Sequence, residues 1–88
     1  MNGTEAYKLL SKIYPLSKVR GCLDYGKFYV FSLAPIDVPD DERYYTGTIF
    51  PAVDKKTGRI FEYDITSDIT AYNRAKQVKI KTIFDEVI

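Results

Sequence analysis

Between two apolar, β-prone runs lies the segment Asp54-Lys55-Lys56-Thr57-Gly58, and it forces the chain to double back on itself. Lys55-Lys56-Thr57-Gly58 has the composition of a type I turn whose last residue takes a positive φ, and only glycine does so without a Cβ penalty. The flanking arms, 46–54 and 59–66, are therefore read as a hairpin. With Asp54 opposite Arg59, Ala52 falls opposite Phe61 and Phe50 opposite Tyr63. Phe50, Ala52, Phe61, Tyr63 and Ile65 then share one face, which this register marks as the core face. Pro51 has no N–H for a ladder rung, so the first arm is either an edge strand or paired on one side there.

The rest of the chain adds helices and further strands to this hairpin. Ala6, Leu9, Leu10, Ile13 and Tyr14 recur at helical spacing behind Thr4, an expected N-cap, and before Pro15, which predicts a helix over 4–14. Val19 to Leu23 reads as a short strand that turns through Asp24-Tyr25-Gly26 into a longer one over 27–34. The second of these is apolar on both parities and so expected at the centre of the sheet. Thr66, Ser67 and Asp68 are capping residues before a second helix over about 68–77, carried by Ile69, Tyr72 and Ala75. The tail alternates over 78–83 like a fifth strand, while Ile80, Ile83, Phe84, Val87 and Ile88 also repeat like a helix. The expected class is α+β: an antiparallel sheet of three to five strands packed against two helices, in one domain over 1–88.

Composition narrows the function classes. The chain has no histidine, so imidazole proton transfer, imidazole metal ligation and His-activated nucleophiles are all unavailable. A lone cysteine, Cys22, forms no internal disulfide and is read as buried filler, although neighbouring Arg20 could lower its pKa. The acids Asp37, Asp40, Asp41 and Glu42 cluster in a polar loop without the alternating ligands and forced turn of a calcium loop, and no phosphate-cradling glycine motif is present. No metal site, cofactor or catalytic residue is expected. Thirteen basic and 12 acidic residues give a net charge of +1, which disfavours nucleic acid and anionic membranes as partners. No signal-like or membrane-spanning apolar run occurs, and a cytoplasmic location is expected.

Tyrosine is the remaining excess, with eight in 88 residues. Tyr25, Tyr44 and Tyr45 carry an apolar body and a polar tip, which suits interfaces. Tyr44 and Tyr45 adjoin Asp40, Asp41 and Glu42, and this combination fits steering toward a basic protein. These six residues are the candidate binding site; Asp54, Gly58, Ser67 and Asp68 are assigned to the turn and the cap. Stacking of a base on tyrosine, with Arg or Lys from a second copy on its phosphate, is the alternative: a nucleotide- or anion-sequestering homo-oligomer.

From Lys27 onward the order of features resembles the immunity protein 35 and YrhB-like group of small bacterial proteins. The matching residues are Phe28 to Phe31, then Gly47, Pro51, Val53, Asp54, Lys55, Thr57 and Gly58, then Thr66, Asp68 and Tyr72. Three residues separate Gly47 from Pro51, one more than the family spacing, and the family's tryptophan is missing. PepSY-type domains, with a similar hairpin, are also alike. The first resemblance implies a non-enzymatic partner protein, for toxin neutralisation or chaperone-like binding. The expected function is a protein-binding module, an immunity-type inhibitor or a small factor from a phage or other mobile element, whose acids beside tyrosine suit a basic target such as a nuclease.

Overall fold

The computed structural model describes residues 1–39, 41–44 and 47–82. In chain order the elements are α1 (Gly3–Ile13), β1 (Ser17–Asp24), β2 (Phe28–Pro35), β3 (Ile49–Asp54), β4 (Ile60–Asp64), α2 (Ile69–Arg74) and β5 (Lys76–Gln77). The five strands form one antiparallel sheet in the order β4-β3-β2-β1-β5, so β2 is central, as its apolar residues on both parities anticipate.

The cap of α1 lies two residues before the expected Thr4. Asn2 accepts from the Glu5 amide at 2.9 Å, and Glu5 reaches back to the Asn2 amide at 3.1 Å, a reciprocal capping box. With the cap moved back, Gly3 enters the helix and its inner face turns to Ala6, Tyr7 and Leu10. Ile13, expected inside, is exposed instead. Pro15 ends the helix as anticipated, since Tyr14 leaves helical geometry before it.

The hairpin register is the one the turn dictates: Ala52 pairs with Phe61 and Phe50 with Tyr63. Asp54 organises the turn by accepting from the amides of Lys56 (2.8 Å) and Thr57 (2.9 Å), and Gly58 takes φ +74°. The Thr57 and Lys56 amides hold the Asp54 carboxyl below the usual carboxylate range. Pro51 stands opposite Glu62 at a rung whose hydrogen-bonding groups point away from β4 and toward β2. Pairing of β2 with β3 accordingly stops at Val30 and Ala52, where the next rung would need the N–H that Pro51 lacks. The strand is thus interior, paired on one side at Pro51.

The core lies on the face opposite to the one expected. Tyr29, Val53 and Ile60 form a row across β2, β3 and β4, and with Phe31, Cys22 and Val19 they pack under Ala6, Tyr7, Leu9 and Leu10 of α1. Phe50, Ala52, Phe61 and Tyr63 do share a face, but it is the other one. Both faces of this hairpin are apolar, so alternation alone could not choose between them. The helix seats on the face where Val53 and Ile60 lie beside Tyr29 and Phe31, while the rings of Tyr25, Phe28, Phe61 and Tyr63 on the second face pack among themselves. Tyr25 stacks on Phe28 at 5.1 Å, and Tyr63 stands edge-on to Tyr25 at 5.1 Å and tilted to Phe28 at 5.0 Å.

From β4 on one edge, the chain crosses this second face through α2 to reach β5 on the opposite edge. Asp68 caps α2 through the Ala71 amide at 3.0 Å, while the Ser67 hydroxyl donates to the Asp64 carbonyl instead of capping. The helix is shorter than the expected 68–77 because Ala75 turns extended and Lys76–Gln77 pair with Asp24 and Leu23. The fifth strand therefore falls before 78–83, with residue 83 outside the described part. Beyond it Val78 donates to the Cys22 carbonyl, and Ile80 is buried against Gly3 and α1. The tail thus adds the Val78 rung, an isolated bridge at Lys81 and the buried Ile80, without forming a continuous strand. No helix among the described residues is long and apolar enough to cross a membrane.

Candidate functional site

Two connections, 14–16 and 36–48, meet at the end of the sheet where β1 begins, β2 ends and β3 begins. The 36–48 connection is held down by cations of β1. The Lys18 ammonium donates to the Val38 carbonyl, and the Arg20 guanidinium donates to the carbonyls of Glu42 and, at 2.6 Å, Pro39. Arg20 can reach the loop because it is the extra residue of a β-bulge between Val19 and Gly21, which re-aims its side chain out of the ladder. Among the described residues the loop's carboxylates take no part in these bonds: Asp37, Asp41 and Glu42 are exposed. They form a solvated acidic rim.

Below this loop lies a groove of ≈ 260 Å³ lined by Tyr14, Leu33, Pro35, Tyr44, Ile49 and Pro51, with Glu62 at its far side. It occupies the stretch of β2 and β3 left unpaired by Pro51. Two of its lining side chains are apolar and left out of the core, Ile49 at 52 % exposure and Tyr44 at 45 %. Leu16 and Ile36, joined by the bond from the Ile36 amide to the Leu16 carbonyl, are exposed too but do not line the groove. Scattered exposed apolar residues are ordinary, but an aromatic and an aliphatic one in the same groove suit an interface.

The six candidate residues are not gathered into one site. Tyr44, Asp41 and Glu42 lie at this end, whereas Asp40 and Tyr45 fall outside the described residues. Tyr25 sits at the opposite end of β1, about 20 Å away at the usual rise of a strand. Ile49 escaped the sequence reading. It shares the parity of Pro51 and Val53, away from the expected core face, and an apolar residue there was the signal that could have found it.

Tyr25 belongs instead to a second cleft, of ≈ 470 Å³, between the β1–β2 turn and α2, which also takes in Asp24, Asp68, Arg74 and Lys76. Its hydroxyl is buried with no hydrogen-bond partner among the described residues, and burial pushes its pKa up. Asp24 is engaged elsewhere, 2.7 Å from the Lys55 ammonium, which holds the carboxyl below its usual range and is itself raised. Asp68 is engaged as the cap of α2.

Cys22 is packed in the core, where burial and then the charge of Asp24 push its thiol up to about 12; Arg20 does not lower it. At neutral pH that sulfur is an unionised, inert thiol. Among the described residues no group of His, Cys, Asp and Glu is arranged to hold a metal ion.

No protein-family profile, curated protein or solved structure matches this chain. The geometry of the groove and the cleft is what a functional reading has to stand on.

Proposed function

We propose that the protein is a non-enzymatic binding module that docks a basic partner protein on the groove end of its sheet. The observation that carries this reading is the exposed pair Tyr44 and Ile49 lining a groove at Pro51. Apolar and aromatic anchors there supply the contact area, and the acidic rim of Asp37, Asp41 and Glu42 steers a basic surface toward them. The resemblance to immunity-type proteins supports a toxin or nuclease as that partner, and the absence of histidine from the sequence supports binding over chemistry.

The test is affinity capture from the native host followed by mass spectrometry, with the wild type beside an Ile49→Asp, Tyr44→Ala double variant. A basic protein enriched by the wild type and lost by more than tenfold with the double variant is the expected result. Equal enrichment by both folded proteins would move the interface elsewhere.

The cleft of Tyr25, Arg74 and Lys76 favours a second reading, a site for a nucleotide or other small anion. A ring with a hydroxyl lacking a partner, beside two cations, offers stacking, a donor and charge. A thermal-shift panel of nucleotides and inorganic phosphate checks it. Stabilisation grows with the logarithm of ligand excess, so a rise in Tm that Arg74→Ala abolishes supports it, and a flat panel removes it.

A further inference from the structure

The two edges of the sheet are finished differently. On the β1 side the edge is bulged at Arg20 and closed further along by β5 and the Val78–Cys22 bond. On the other side β4 ends the sheet with no strand beyond it among the described residues. Its outward groups follow from the ladder. Arg59 accepts from Asp54 and Ile65 donates to Thr48, so odd-numbered residues direct their main-chain groups toward β3 and even-numbered ones direct theirs outward. Of the outward set, the Asp64 carbonyl already accepts from Ser67, and the Gly58 amide already donates to Asp54. What remains without a partner among the described residues is the N–H and C=O of Ile60 and of Glu62, with the Asp64 N–H and the Gly58 C=O at the two ends.

The geometry points to a second copy of this chain as what completes that edge, through antiparallel pairing of β4 with β4. Only outward residues can meet across such an interface, so Ile60 and Glu62 must pair with each other or with themselves. If Ile60 of one copy stands opposite Glu62 of the other, the four groups of Ile60 and Glu62 on each strand are satisfied about a twofold axis through Phe61, and the Asp64 N–H of one copy faces the Gly58 C=O of the other. Glu62 opposite Glu62 would face like charges and leave Ile60 to seek the occupied Asp64 carbonyl. Ile60 opposite Ile60 would set Glu62 against the turn at Gly58, whose amide is taken. One register alone is self-complementary.

That register also aligns the second faces of the two sheets. Phe61 meets its own counterpart at the axis, and Arg59, whose guanidinium lies 5.3 Å from the Phe61 ring centre, stands opposite Tyr63 of the other copy. The ring cluster of each sheet, Phe28 against Phe61 at 5.3 Å and Tyr63 beside them, then runs on into its twin. The result is a ten-stranded sheet in which the open edges have been removed and both helices α1 lie on one side.

Sedimentation equilibrium of the full chain tests this, and twice the monomer mass of 10.1 kDa is expected. Glu62→Pro deletes an outward N–H without touching a β3 rung, so it should stay folded by circular dichroism and sediment as a monomer. The register has its own check. Phe61→Cys sits at a non-hydrogen-bonded pair on the axis, about 4.5 Å between Cα atoms, and should oxidise to a disulfide-linked dimer. Tyr63→Cys, lying far from its counterpart, should not. A wild type that sediments at the monomer mass up to high micromolar concentration overturns the proposal, as does a folded Glu62→Pro dimer. Should Glu62→Pro not fold, the wild-type mass and the cysteine pair decide alone, and cross-linking through Tyr63→Cys in place of Phe61→Cys overturns the pairing.

Discussion

Phe31→Ala is expected to cost about 3–5 kcal/mol. Phe31 is fully buried, at 0 % exposure, in the middle of the central strand, opposite Cys22 of β1 and in one core cluster with Ala6, Leu10 and Val53. For 88 residues the whole stability is roughly 4–13 kcal/mol at ~0.05–0.15 kcal/mol per residue. A single truncation can therefore remove most of it. Urea unfolding should show a collapse of the midpoint with an unchanged slope, or no folded baseline at all. Phe28→Ala is the comparison, because Phe28 is only half-buried on the second face. It should cost clearly less, about 1–2 kcal/mol. An equal loss in the two variants would mean that the second face contributes as much as the helix-covered one, contrary to the packing described above.

Gly58→Val is expected to be the most damaging turn substitution, at about 2–3 kcal/mol. Two penalties combine there. A β-branched side chain at φ +74° is strained, and a Cβ would lie 3.2 Å from Leu9 Cδ1 and 3.5 Å from Met1 Cε. The turn is thus pressed against the start of α1 as well as being tight. Gly26→Val separates the two causes: it carries a φ of +93° but meets nothing within 4 Å. Thermal or urea unfolding of both variants should show Gly58→Val as the less stable one. Equal losses would assign the whole effect to the backbone and none to the contact with Leu9.

Local chemistry was legible in the sequence wherever one residue type has one physical job. Gly58, Asp54, Asp68 and Pro15 did what their backbones and side chains require, and the register between Ala52 and Phe61 followed from the turn. The failures share a cause in competition between near-equals. Asn2 and Thr4 are both good caps, and the capping box with Glu5 decides for Asn2 through a second bond that a single-residue preference does not register. Both faces of the hairpin are apolar, and the choice between them depends on which one fits a helix from the other end of the chain. Lys76–Gln77 carries no strand signature and pairs because the crossing from β4 delivers it to the open end of β1. The groove follows from Pro51, whose missing N–H was recognisable beforehand. Its exposed apolar lining was not, because Ile49 meets Tyr14, Leu33 and Tyr44 only once the sheet has formed.

Ile80, buried against Gly3 at the first turn of α1, has a consequence for the birth of the protein. Contacts separated by nearly the whole chain form late, since the intervening loop must close before they give any return. While the polypeptide is being made, α1 therefore waits with one flank bare. The hairpins can assemble behind it, but the first helix stays without its last neighbour until the tail has left the ribosome. A pause or a stop before Ile80 would release a chain that has nearly all its strands and an unclosed seam along its oldest element. For such a fragment, apolar surface at that seam is what a chaperone or a protease would meet first.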